Sequence, residues 1–294
     1  MAYYAIQQIL EDARTHQMPL WETILMDDVL AQKGDRETSL RQMHHLWAVM
    51  QETSRTYQAG DRSNSGLVGG DAARVQAASQ QGVLIGGDFI QAVIIEALRT
   101  SECNACMKRI VAAPTAGSCG VLPAVLIPTA KWDKLPDDRV VESLYVAAGF
   151  GQVVAARASI AGAQGGCQAE IGAASAMAAA ALTYLKGGTD VMCSHAFAMA
   201  LSGLLGLVCD PVAGLVEVPC VQRNVTGALN AVGCANMALA GVVCRIPADE
   251  VIDAMGEIGD KMPAELRETG RGGLAATPTG QAIAQKLLQK VVEM

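Results

Sequence analysis

Residues 165–185, "GGCQAEIGAASAMAAAALTYL", decide the fold. The segment from Gln168 to Leu185 is dense in alanine, the strongest helix former, and shows none of the polar–apolar alternation of a half-buried strand. From Ile160 onward the same mixture of Ala, Gly and Ser recurs. Side chains this small let helix backbones approach closely and leave space for a central site.

Working outward, strand signals are scarce. The chain has eleven aromatic residues (three Trp, five Tyr, three Phe) and no repeating strand–helix rhythm of the kind a parallel sheet needs. The expectation is an all-α fold. Helices are predicted over Tyr3–Thr15, Leu20–Ala31, Arg36–Gly60, Phe89–Arg109, Asp138–Ala156, Gln168–Leu185, Val191–Leu207, Thr226–Val243, Ala248–Gly259 and Gly280–Glu293. "IPADEVIDAMGEIG" (246–259) shows the punctuation: Pro247 and an acidic first turn enter a helix, and Gly256 and Gly259 leave it. The N-terminal third is more charged and amphipathic, which suits an outer layer or a subunit contact. With no internal repeat or low-complexity linker, residues 1–294 read as one domain.

Composition narrows the function. Hydrophobic residues make up 51% of 294, enough for a large core, which excludes disorder. A formal charge of −7, with no basic run longer than two residues, lacks the electrostatic footprint of a nucleic-acid binder. Val191–Cys209 and Asn224–Cys244 carry no Asp, Glu, Lys or Arg, and so meet the crude length test for a membrane span. They contain His195, serines and asparagines among Ala and Gly, and are read as buried helices. The start "MAYYAIQQILEDARTH" lacks a secretory or transit pattern, so a reducing cytoplasm is expected. There, nine cysteines point to ligands, reactive thiols or core filling before disulfides.

Irregular sequence concentrates in "SNSGLVGGDA" (63–72), "VAAPTAGSCGVLP" (111–123), "CDPVAGLVEVPC" (209–220) and "LRETGRGGLAATPTG" (266–280). In the second, a proline followed by small residues can aim backbone N–H groups at an anion, with Thr115 and Ser118 adding hydroxyls. Ser63 and Ser65 sit in a similar setting. Neither loop ends in the Gly-Lys-Ser/Thr of a phosphate-binding P-loop.

Among the cysteines, Cys167, Cys209 and Cys220 lie at helix–loop junctions. A disulfide, a metal site and simple burial all remain open for the Cys209/Cys220 pair on spacing alone. Three junction thiols without a fourth match an iron–sulfur cluster with one open iron more naturally than a closed structural zinc. Cys193, Cys234 and Cys244 read as core filler, Cys103 and Cys106 as structural, and Cys119 adjoins the anion-binding loop.

Taken together, "IVAAPTAGSCGVLPAVL", "GGCQAEIGAASAMAAAAL", "LGLVCDPVAGLVEVPCVQRN" and "LRETGRGGLAATPTG" resemble the alpha chain of the bacterial iron–sulfur L-serine dehydratases, from about Ser63 to Thr279. The resemblance implies a 4Fe-4S cluster held by Cys167, Cys209 and Cys220. It also implies L-serine as substrate, a separate beta subunit, and an oligomer. Thr115, Ser118, Ser63 and Ser65 would hold the substrate carboxylate. His195 is a candidate base because imidazole titrates near neutrality, with Lys108 behind it. The extra thiols of Cys119 and "SECNACMK" depart from the family pattern.

Rival expectations are L-threonine dehydratase or L-cysteine desulfidase activity on the same logic, and a non-catalytic iron–sulfur sensor or structural subunit. A pyridoxal-phosphate dehydratase is disfavoured, because none of the eight lysines sits where a Schiff base would form.

Overall fold

The alanines of the quoted segment form the middle of the molecule. A computed structural model describes residues 3–292, and among these the regular structure is helical with no named strand. Thirteen α-helices are present among the described residues: α1 Ile6–His16, α2 Leu20–Gln32, α3 Arg36–Arg55, α4 Asp71–Gln80, α5 Gly87–Ala105, α6 Val121–Asp133, α7 Asp137–Arg157, α8 Gly162–Gly165, α9 Ala173–Leu185, α10 Asp190–Ser202, α11 Cys220–Leu239, α12 Ala248–Lys261 and α13 Pro278–Val292. The all-α expectation is met.

Helix α9 is buried along almost its whole length, and α6, α7, α10 and α11 pack around it. Small side chains make that possible. A Cβ on Gly227 of α11 would stand 2.9 Å from Ile171 Cγ2, so this crossing is closer than any larger residue allows. Buried polar groups inside the bundle are satisfied across helices. Ser175 of α9 donates to Gly227 O (2.7 Å), while Asn230 of α11 donates to Ser175 Oγ and to Ala200 O of α10, both at 2.9 Å. Phe150 and Phe197 close the α7–α10 contact edge to face, with centroids 5.5 Å apart.

The charged N-terminal third is the outer layer that its amphipathic pattern implies, with α2 and α3 lying on α7 and α1 reaching α12. The start of α1 is fixed from far away. Asp249, in the acidic first turn of α12, accepts from Ile6 N (2.8 Å) and Gln7 N (3.1 Å), so the helix opens at Ile6 rather than Tyr3.

Three helices, α4, α6 and the four-residue α8, lie outside the ranges expected from sequence. Helix α4 has Gly70 at its N-cap, and its opening N–H groups are taken by the buried carboxylate of Glu102 on α5, at 2.8 Å from Gly70 N and 2.9 Å from Ala72 N. Helix α6 runs through Pro128, which removes one backbone donor; burial of nearly every side chain outweighs that loss. Boundaries also move. Helix α5 stops at Ala105 with Met107 left-handed, α10 ends at Ser202, and α11 begins at Cys220 behind Pro219, six residues ahead of the expected Thr226. Glu293, the expected end of the last helix, lies outside the described residues. No described helix is long and apolar enough to cross a membrane; the two uncharged windows run through α10 and α11, buried on their inner faces and exposed at Val191, Met237, Val242 and Val243.

Candidate active site

The four irregular stretches meet at one end of α9 and α11. Cys167 follows Gly166, whose φ of +74° and whose missing Cβ, 2.7 Å from Met262 Cε and 2.9 Å from Leu207 O, leave room for glycine alone. The chain then winds through one wide π-type turn, Gln168–Gly172, into α9. Such turns re-aim side chains and are frequent at functional sites. This one carries Glu170.

Cys209 is held by the 266–280 segment. Its N–H donates to Leu266 O (2.8 Å) and its carbonyl accepts from Glu268 N (2.7 Å), an isolated parallel bridge. Cys220 opens α11, so Arg223 and Asn224 lie one turn further on the same helix. Asn224 ties that turn to the "PTAGSCG" loop, accepting from Gly120 N (2.8 Å) and donating to Gly117 O (2.7 Å) and Cys220 O (2.9 Å).

The three junction cysteines are free thiols, Cys167 and Cys209 buried and Cys220 half-buried. They lie within electrostatic reach of one another. Burial pushes Cys167 up to about 11, with Arg223 pulling down and Glu170 pushing up. Burial pushes Cys220 up to about 12, with the charges of Cys167 and Glu170 adding to the rise. Cys209 rises for the same reasons, burial first, then Cys167 and Glu170. Burial raises core thiols such as Cys119 and Cys193 in the same way, so the shifts reflect the apolar surroundings first. Among the described residues, no three His, Cys, Asp or Glu donors gather closely enough for a single metal ion. One tetrahedral zinc, at about 2.3 Å from each sulfur, would need sulfurs about 3.8 Å apart. Three free cysteine thiols are the donor type that an iron–sulfur cluster takes.

Glu170 links this trio to the 111–123 loop. Its Oε1 accepts from Thr115 Oγ1 (2.7 Å) and its Oε2 lies 3.7 Å from Cys209 Sγ. Burial raises its pKa, against the lowering effect of the Thr115 bond. Ser118 is fully buried, and its hydroxyl closes the turn onto Thr115, 3.1 Å from Oγ1 and 3.3 Å from Thr115 N. Ser63 and Ser65 converge on a second carboxylate, that of the buried Glu217, with Ser63 Oγ 2.7 Å from Oε2. Val216, beside it, and Glu170 flank Gly117 from two sides, at 3.5 and 3.2 Å from where a Cβ would stand.

His195 stands apart. It is half-buried on α10, and among the described residues no hydrogen bond joins it to the serines, Thr115 or the three cysteines. Lys108 bonds Thr56 O (2.9 Å) and pairs with Asp61, which raises its pKa and keeps it charged.

Sequence reasoning assigned no role to Glu170, Glu217, Arg223 or Asn224. Glu217 carried one legible signal, an acid inside an apolar cysteine-flanked loop with no basic residue near it in sequence.

With this geometry in hand, comparison with known proteins is informative. Residues 15–275 match the serine dehydratase alpha chain family. The chain belongs to that family. It is 45% identical over 282 residues to a protein of Bacillus subtilis strain 168 named probable L-serine dehydratase, alpha chain, covering 96% of this chain and 94% of that one. It is 39% identical over 285 residues to the L-serine dehydratase alpha chain of Peptoniphilus asaccharolyticus, covering 97% and 98%. An L-serine dehydratase of Escherichia coli K12 is 46% identical over 181 residues, 61% of this chain but 40% of that protein.

Proposed function

We propose that this serine dehydratase alpha chain is the iron–sulfur-bearing subunit of an L-serine dehydratase, converting L-serine to pyruvate and ammonia. The observation that carries the reading is the meeting of Cys167, Cys209 and Cys220 with the Thr115–Glu170 pair at one end of the helical core.

Deamination of serine must remove a weakly acidic Cα proton and expel hydroxide, a poor leaving group. A 4Fe-4S cluster on the three cysteines would supply a Lewis-acidic iron for the departing hydroxyl. The rest of the work falls to the protein. A zwitterionic amino acid brings one anion and one cation. The N–H groups of Ala116 and Gly117, which open a short turn and have no acceptor among the described residues, suit the carboxylate. The carboxylates of Glu170 and Glu217 have no salt-bridge partner among the described residues and suit the ammonium. Thr115 fixes Glu170, and Ser63 and Ser65 fix Glu217, so both are oriented before substrate arrives. Loss of water leaves aminoacrylate, which tautomerises to an imine and hydrolyses to pyruvate and ammonia.

A separate beta chain is part of the proposal. Relatives named alpha chain match this chain over nearly their whole length, while the Escherichia coli dehydratase carries the matching region in 40% of a longer protein. Pyruvate release from L-serine by the anaerobically reconstituted chain, alone and with its beta chain, tests the reading. Turnover that needs both chains and iron supports it; turnover by metal-free protein defeats it.

A further inference from the structure

Arg223 lies one turn beyond Cys220 on α11, its side chain only 15% exposed. Its Nη1 donates to Val208 O at 2.8 Å, and its Nη2 stands 2.8 Å from Asp210 Oδ1. Val208 and Asp210 are the residues on either side of Cys209. The charge of the guanidinium also acts on both Cys167 and Cys220. Asp210 in turn accepts from Leu274 N (2.7 Å), which draws the 266–280 segment into the same contact set. One planar group on the helix that Cys220 opens therefore grips the chain on both sides of Cys209, with Cys167 within reach of its charge.

We propose that Arg223 is a positioning residue for the iron–sulfur cluster: its fork locks the Cys209 loop onto the helix that carries Cys220 and sets a fixed positive charge beside Cys167. The inference rests on the iron–sulfur reading above. A guanidinium suits this task and an ammonium does not, because two acceptors on either side of Cys209 need a rigid, planar set of donors. Its charge offsets the accumulating negative charge of three thiolates with Glu170 and Glu268 nearby. Hydrogen bonds and charge at the ligand sulfurs also tune cluster potential and retention.

The test uses the full chain, reconstituted anaerobically with iron and sulfide, as wild type, Arg223→Gln and Arg223→Lys. Two readouts are followed: the rate at which the cluster's visible absorbance fades in air-saturated buffer, and its reduction potential. Arg223→Gln should lose the cluster about tenfold faster, in line with other losses of outer-sphere support, and its potential should move to more negative values. Arg223→Lys should hold the potential nearer to wild type yet still fade faster, because charge without the fork does not pin the loop. If Arg223→Gln does not fold, judged by circular dichroism, Arg223→Lys decides alone. Wild-type fading rates and potentials in the folded variants would overturn the role of Arg223. A wild-type chain that takes up no iron and sulfide would instead overturn the iron–sulfur reading on which it rests.

Discussion

Thr115 donates a 2.7 Å hydrogen bond to Glu170, and through it the 111–123 loop is tied to the segment that carries Cys167. The other oxygen of the same carboxylate lies 3.7 Å from the Cys209 sulfur. A single half-buried acid thus couples the two halves of the site. Replacing Thr115 by Val keeps the shape and removes the donor, leaving the carboxylate short of a partner. The expected cost is about 1–3 kcal/mol, which for a chain this long lowers the melting temperature by about 2–4 °C per kcal/mol. An unchanged melting curve would show that the bond does not hold the loop.

Gly162 has no room to grow. A Cβ there would lie 2.6 Å from Glu170 Oε2 and 3.0 Å from Cys209 Sγ. Gly162→Ala should displace both side chains, so iron retention and turnover fall together while helical content, read by circular dichroism, stays at the wild-type level. Full iron content in the variant would mean that this contact is not part of the ligand set.

Asn224 offers a sharper substitution. Asn224→Asp keeps an acceptor for Gly120 N but faces Gly117 O and Cys220 O with an oxygen in place of the amide donor. Two buried carbonyls lose their partner and meet a negative charge. Destabilisation of about 2–5 kcal/mol follows, measurable by urea unfolding; a loss under about 0.5 kcal/mol would contradict the tie between α11 and the loop.

The thiols predict a pH dependence. Burial first, then neighbouring negative charge, raises Cys220 from 9.0 to about 12, and burial raises Cys167 from 9.0 to about 11. A folded-state pKa above the unfolded value means that the native chain holds more protons in this window. Stability is then fully present below the unfolded value and lost as pH rises through the folded one. The metal-free chain should melt at falling temperature above pH 9.0, and replacing Cys167, Cys209 and Cys220 together by Ser should flatten that slope. Bound iron, by holding the sulfurs as thiolates, should also reduce it. A slope untouched by the triple substitution would place its origin in other cysteines.

Much of the fold was legible because its cause is local. Arg36 and Ala248 begin their helices where the sequence says, since Asp35 caps one and Pro247 opens the other. Helix α4 escaped because its cap comes from Glu102, thirty residues away and invisible to any local pattern. Helix α6 lies outside the ranges expected from sequence, and burial of every residue from Val121 to Thr129 carries it past Pro123 and Pro128. The site followed the same divide. Cysteines announce themselves by type and setting, whereas Arg223 and Asn224 became visible only once α11 was seen to start at Cys220 and turn both side chains toward the loops. Glu217 matters through Ser63 and Ser65, more than 150 residues earlier.

The central claim is that Cys167, Cys209 and Cys220 hold one iron–sulfur cluster in common. Anaerobic iron and sulfide analysis of the reconstituted chain, beside its three single Cys→Ala variants, tests it most directly. The account predicts stoichiometric iron and sulfide in the wild type and loss of most of both in each variant. Undiminished iron and sulfide in all three variants would contradict it.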